Sequence, residues 1–117
     1  MNVFVYGTLI PGQRLYTGIE RFVKSYKDAE VENHQLHMAS SGWYPVMTPG
    51  EGKVKGVLLE MEPEAIDRLD QIEGAPFLYK RVEIITTVEE KAWTYIGNHA
   101  RPDVLIPNGD FLEFSHT

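Results

Sequence analysis

One stretch of this chain carries a complete helical signature, and it is short. Pro63 stands where a first helical residue belongs, Ile66, Leu69 and Ile72 recur at helical spacing, and Gly74 stands where a C-terminal cap is expected. Around it lie runs that read as strands. Val3–Phe4–Val5–Tyr6 is β-branched and aromatic, and residues 53–61, Tyr79–Thr87 and Ala92–Ile96 have similar character. Several strands with one clear helix predict an α+β fold, a small, mixed but mostly antiparallel β-barrel with one or two short helices.

The remaining segments fit that frame. Leu15, Ile19, Phe22 and Val23 suggest a helical turn or two within residues 13–24, weakened by Gly18. Residues 27–39 read as one or two strands, with a hairpin around Asn33–His34 as one option. Ser40–Gly42 reads as a loop, Trp43–Met47 as an apolar segment, and Pro49–Gly52 and Glu89–Lys91 as turns. The tail after Pro102 is mixed, with a turn at Asn108–Asp110. No repeat or linker divides the 117 residues, so residues 1–117 are expected to form a single domain.

Composition removes whole classes of function. With no cysteine, thiolate nucleophiles, disulfides and zinc–thiolate sites are excluded. The net charge of −6 argues against nucleic-acid binding, which needs a basic surface. The opening MNVFVYGTL has neither the basic nor the apolar region of a signal peptide, and the apolar runs are too short to span a bilayer. A cytoplasmic protein without membrane contact is expected.

The helix carries the main chemical candidate. At about 100° per residue, with Ile66 as zero, Leu69 lies at about −60°, Ala65 at about −100° and Ile72 at about −120°. Glu73 falls at about −20°, inside this apolar sector, and Asp70 at about +40°, on its border. An inward carboxylate in the last turn of a helix is disfavoured as an anion, by desolvation and by the helix dipole. Both raise its pKa toward neutrality, where it can take and return a proton. The pattern alone leaves two other readings open. The helix can fray at Ile72 and release Glu73 to solvent, or Glu73 can pair with Arg81, which would lower its pKa.

The second candidate is Gly7–Thr8–Leu9, directly after the first strand. Glycine permits close backbone approach, and successive N–H groups in such a turn can hold a carboxylate or an oxyanion. Most junctions of this kind bind nothing, so the loop gains meaning only beside Glu73.

Other chemistries are set aside. His34 and His37 lie on opposite faces of a strand, and His99 and His116 have no ligand pattern. Ser40 and Ser41 lack a strand–turn–helix setting. Gly52–Lys53 lacks the upstream glycine and following hydroxyl of a phosphate loop. Trp43, Tyr44 and Trp93 read as core or pocket wall.

In order along the chain, Phe4–Leu9 with Gly12–Gln13, Tyr44–Pro45, Val54–Lys55–Gly56, Leu69–Gly74 followed by Tyr79–Lys80–Arg81, and Ala92–Tyr95 resemble the signatures of the gamma-glutamylcyclotransferase-like family, which includes the gamma-glutamylamine cyclotransferases. The likeness covers roughly residues 2–97. It implies a barrel with its cavity at one end and a gamma-glutamyl amine or peptide as the small-molecule substrate. The substrate's α-amine would attack its own γ-carbonyl, releasing 5-oxoproline and a free amine. By match, Glu73 would carry the proton, and Tyr6, Gly7, Thr8 and Leu9 would hold the glutamyl end. Tyr79 and Arg81 would position Glu73 or the substrate. No metal or cofactor is expected. Val57 stands where members often carry a polar or acidic residue, which bears on the leaving amine. The alternative is a non-catalytic module binding a small carboxylate or amine on the same barrel.

Overall fold

The computed structural model describes the chain except for residues 40–43, 76–77, 98–99 and 116–117, with backbone alone at 100–103 and 115. Six strands form one sheet: β1 (Asn2–Val5), β2 (Val23–Ala39), β3 (Pro45–Met61), β4 (Tyr79–Ile85), β5 (Lys91–Gly97) and β6 (Ala100–Leu105). Their order is β4-β5-β1-β3-β2-β6, and only β1 and β5 run parallel. The sheet curls into a half-barrel, with two helices, α1 (Ala65–Glu73) and α2 (Phe111–Ser115). The expected α+β fold is thus the observed one.

β1 shows why residues 3–6 form an unbroken apolar run. Val3, Phe4, Val5 and the following Tyr6 are 0%, 1%, 4% and 7% exposed, so both faces of this strand are covered. Side chains alternate across a strand. Val3 and Val5 pack with Leu59, Met61 and the α1 residues Ala65 and Leu69. Phe4 and Tyr6 pack on the opposite face with Leu36, Met47, Leu58, Ile106 and Phe111. A strand in mid-sheet, buried on both sides, holds its C-terminal end rigidly.

The longest feature departs from the sequence reading. β2 and β3 are seventeen residues each and pair along almost their whole length. The hairpin at Asn33–His34 and the turn at Pro49–Gly52 do not form. Glu32 pairs with Lys53 and His34 with Pro49, so Asn33 alone faces Gly50, Glu51 and Gly52. Asn33 takes φ 62° there. The turn-forming residues of both segments make one irregularity in a continuous ribbon, and such a bulge bends the strands.

Elsewhere the differences are smaller. Residues 13–24 hold the helical turns expected there, as two 3₁₀ turns, Tyr16–Gly18 and Glu20–Phe22. Helix α1 begins at Ala65, after a turn through Pro63, and ends at Gly74 with φ 66°, as a C-terminal cap requires. β4 stops at Ile85, and the turn to β5 runs from Thr86, closed by Thr86 N–H to the Glu90 carbonyl at 2.9 Å. The mixed tail supplies β6, α2 and a 3₁₀ turn at Pro107–Gly109. The loop expected at Ser40–Gly42, with Trp43, lies outside the described residues. No helix among the described residues is long and apolar enough to cross a membrane.

Candidate active site

The pocket forms where β1 runs out. Its walls are Phe4 to Leu9, Pro45 at the start of β3, Glu73 at the end of α1, Tyr79 of β4 and Tyr95 of β5, around a narrow cavity of about 30 Å³. After Tyr6 the chain turns, with Ile10 N–H donating to the Gly7 carbonyl at 3.1 Å and Leu15 N–H to the Thr8 carbonyl at 2.9 Å. The backbone N–H groups of Thr8 and Leu9 have no protein acceptor among the described residues. Two open donors on a pocket wall favour an anionic or carbonyl oxygen.

Gly7 is required for space. A Cβ on it would lie 2.5 Å from Pro45 Cγ and 2.8 Å from Cδ. Pro45 cannot easily yield, because its carbonyl accepts from the Tyr79 hydroxyl at 2.8 Å. Gly7→Ala is therefore expected to lose about 1–3 kcal/mol in urea unfolding, as overpacked sites do. A variant as stable as the parent would mean that this wall is not rigid.

Glu73 lies where the helical wheel put it. The helix does not fray at Ile72; it runs through Glu73 to the Gly74 cap, and Glu73 lines the pocket. Burial pushes its carboxyl up from 4.5 to about 7. Among the described residues no cation is within ion-pair distance of it. The pairing with Arg81 does not form. Arg81 Nη1 instead donates to Asp70 Oδ2 at 2.7 Å, and its guanidinium sits 5.4 Å from the Trp93 ring centre.

Three tyrosines line the pocket, and each hydroxyl gives its proton to something other than Glu73. Tyr6 donates to the Tyr95 carbonyl at 2.6 Å, Tyr79 to the Pro45 carbonyl, and Tyr95 to Asp70 Oδ1 at 2.6 Å. The Tyr6 oxygen also accepts from Met47 N–H at 3.2 Å. Burial raises all three phenols above their usual range, and the charge of Glu73 adds to each. They are neutral at every physiological pH. They shape and desolvate the pocket, which keeps Glu73 basic.

The structure thus brings together Tyr6, Gly7, Thr8, Leu9, Glu73 and Tyr79, and leaves Arg81 outside the lining. Sequence reasoning missed Pro45, Tyr95 and Asp70 as parts of the site. The only signal for Tyr95 was an aromatic residue on a strand near the end of the resemblance. Asp70 showed only as a border position on the helix. Among the described residues no group of three or more His, Cys, Asp or Glu gathers at metal-binding spacing.

Known proteins resemble this chain along almost its whole length. The sequence profile described as gamma-glutamyl cyclotransferase, AIG2-like matches residues 3–113. The gamma-glutamylcyclotransferase family protein YtfP of Escherichia coli K12 is 31% identical over 117 residues, spanning 97% of both chains. Gamma-glutamylaminecyclotransferase A of Danio rerio is 29% identical over 90% of this chain and 74% of its own length. The crystal structure of an uncharacterized protein from Pyrococcus horikoshii superposes with a TM-score of 0.77 at 29% identity, covering 99% of this chain and 97% of the other. The chain belongs to the gamma-glutamyl cyclotransferase, AIG2-like family.

Proposed function

We propose that this protein is a gamma-glutamyl cyclotransferase acting on gamma-glutamyl amines or peptides, with Glu73 as the proton carrier. The observation that carries the reading is Glu73 itself, a partly buried residue whose carboxyl is pushed up toward neutrality and that shares one small pocket with the open N–H groups of Thr8 and Leu9.

The reaction is intramolecular. The substrate's α-amine nitrogen attacks its γ-carbonyl carbon and closes a five-membered ring, so the enzyme's first task is to hold the folded conformer. Glu73 takes a proton from the attacking amine as the carbon–nitrogen bond forms. It returns that proton to the departing nitrogen as the old amide bond breaks. The products are 5-oxoproline and a free amine, and the carboxyl ends as it began. The Thr8 and Leu9 N–H groups hold the α-carboxylate or the developing oxyanion. Tyr6, Tyr79 and Pro45 form the walls that keep the glutamyl chain bent.

The test is incubation with a panel of gamma-glutamyl amines, gamma-glutamyl amino acids and glutathione, with 5-oxoproline measured by mass spectrometry. At least one substrate should give 5-oxoproline and its free amine in equal amounts. Binding of the panel without any 5-oxoproline would instead make the protein a binding module on this fold.

A further inference from the structure

Two carboxylates project from the last turns of α1, three residues apart, and they are treated in opposite ways. Among the described residues, Glu73 has no cation and no tyrosine proton directed at it. Asp70 has both: Arg81 on Oδ2 at 2.7 Å and the Tyr95 hydroxyl on Oδ1 at 2.6 Å. These two donors are direct partners across the β4–β5 ladder. One carboxylate therefore spans a cross-strand pair and fixes how α1 sits on the sheet.

We propose that Asp70 is a positioning residue for Glu73: by holding Arg81 and Tyr95, it denies Glu73 both a counter-cation and a phenol donor, and it sets the helix so that Glu73 meets the Gly7–Leu9 loop. The inference deepens the cyclotransferase reading and rests on it for its catalytic meaning. The geometry of the clamp does not depend on that reading.

Three features support it. Asp70 also braces the helix end, since its carbonyl accepts from Ala75 N–H at 3.0 Å, next to the Gly74 cap. Tyr95 continues the link, because its own carbonyl receives the Tyr6 hydroxyl, one residue before Gly7. Helix end, β5 and loop are thus joined through one side chain and one tyrosine. Charge gives the third feature. Asp70 and Arg81 form a nearly neutral pair beside Glu73, so their fields oppose each other there, and burial alone accounts for the raised carboxyl. The titratable groups that line the pocket with Glu73 are Tyr6 from the end of β1, Tyr79 from β4 and Tyr95 from β5, and the Asp70–Arg81 pair joins them through the Tyr95 hydroxyl.

A clamp of this kind has a signature with sign. Removing the anion leaves Arg81 free to stabilise ionised Glu73. Removing the cation leaves Asp70 to oppose it. The experiment follows the Glu73 carboxyl by carbon-13 NMR in protein labelled at the glutamate side-chain carboxyls, assigned by the signal lost in Glu73→Gln. Asp70→Asn should lower the Glu73 midpoint by about one pH unit, and Arg81→Gln should raise it by a similar amount, the scale expected for a nearby, partly screened charge. In any variant that turns over substrate, the acid limb of kcat/KM should move the same way.

Midpoints that stay put in both folded variants, or that move in the same direction, would overturn the proposal and leave Asp70 as a purely structural brace. If Asp70→Asn does not fold, Arg81→Gln decides alone, since an unchanged or lowered midpoint is fatal. The titration needs no turnover. Failure of the cyclotransferase reading would therefore appear as absent 5-oxoproline with the opposed shifts intact.

Discussion

Glu73→Gln should cut turnover by about 10²–10⁴-fold, the range for loss of a positioned general base. Glutamine keeps the shape and the neutral character that the buried carboxyl has below pH 7, so the pocket should stay formed. Binding of 5-oxoproline or a substrate analogue should therefore change little. The wild-type profile adds a second check. The carboxyl must be ionised to accept the amine proton, so kcat/KM rises with pH through about 7. The substrate's own α-amine, which its neighbouring carboxylate keeps protonated well above neutrality, must also lose its proton, which steepens the rise. In Glu73→Gln the limb at 7 disappears and only the amine's remains. Full activity in the variant, or a wild-type limb near 4.5, would remove Glu73 from the mechanism.

How much of this was legible in the residues depends on distance along the chain. Helix α1 was readable because its signals are local, with apolar residues at helical spacing and Gly74 at the cap. The same wheel aimed Glu73 inward. The loop at Gly7 was readable because a glycine ended an unbroken apolar strand. What the wheel could not tell was how the border position Asp70 would be used. Its partners Arg81 and Tyr95 come from strands eleven and twenty-five residues away, and only tertiary packing brings them to the helix. The same limit explains the ribbon. Asn33, Pro49, Gly50 and Gly52 have turn chemistry, and only the pairing of β2 with β3 makes them a bulge instead of two chain reversals. β6 failed to register because it is an edge strand with a proline inside it, the place where sheets tolerate one. The family resemblance implies a site role for Arg81, through the match at Tyr79–Lys80–Arg81. Its guanidinium instead reaches Asp70, which moves its influence on Glu73 from direct pairing to withheld charge.

The same Glu73→Gln substitution should make the protein more stable in alkaline solution while disabling it. Burial lifts the carboxyl from 4.5 in the unfolded chain to about 7 in the fold. Between those values the folded protein holds a proton that the unfolded chain does not, so stability falls as pH rises. The contribution is fully present below about 4.5 and is gone once pH passes about 7. At roughly 1.4 kcal/mol per pH unit, ionising Glu73 costs the fold on the order of 3 kcal/mol at pH 8. Glutamine carries no charge to desolvate. Thermal unfolding should therefore show Glu73→Gln about 10 °C above wild type at pH 8, with the two converging near pH 4. A variant less stable than wild type by the same margin at both pH values would mean that the carboxylate has a partner offsetting its burial. It would also remove the reason for its basicity. A gain confined to neutral and alkaline pH would identify Glu73 as a group whose ionised form the fold destabilises by burial.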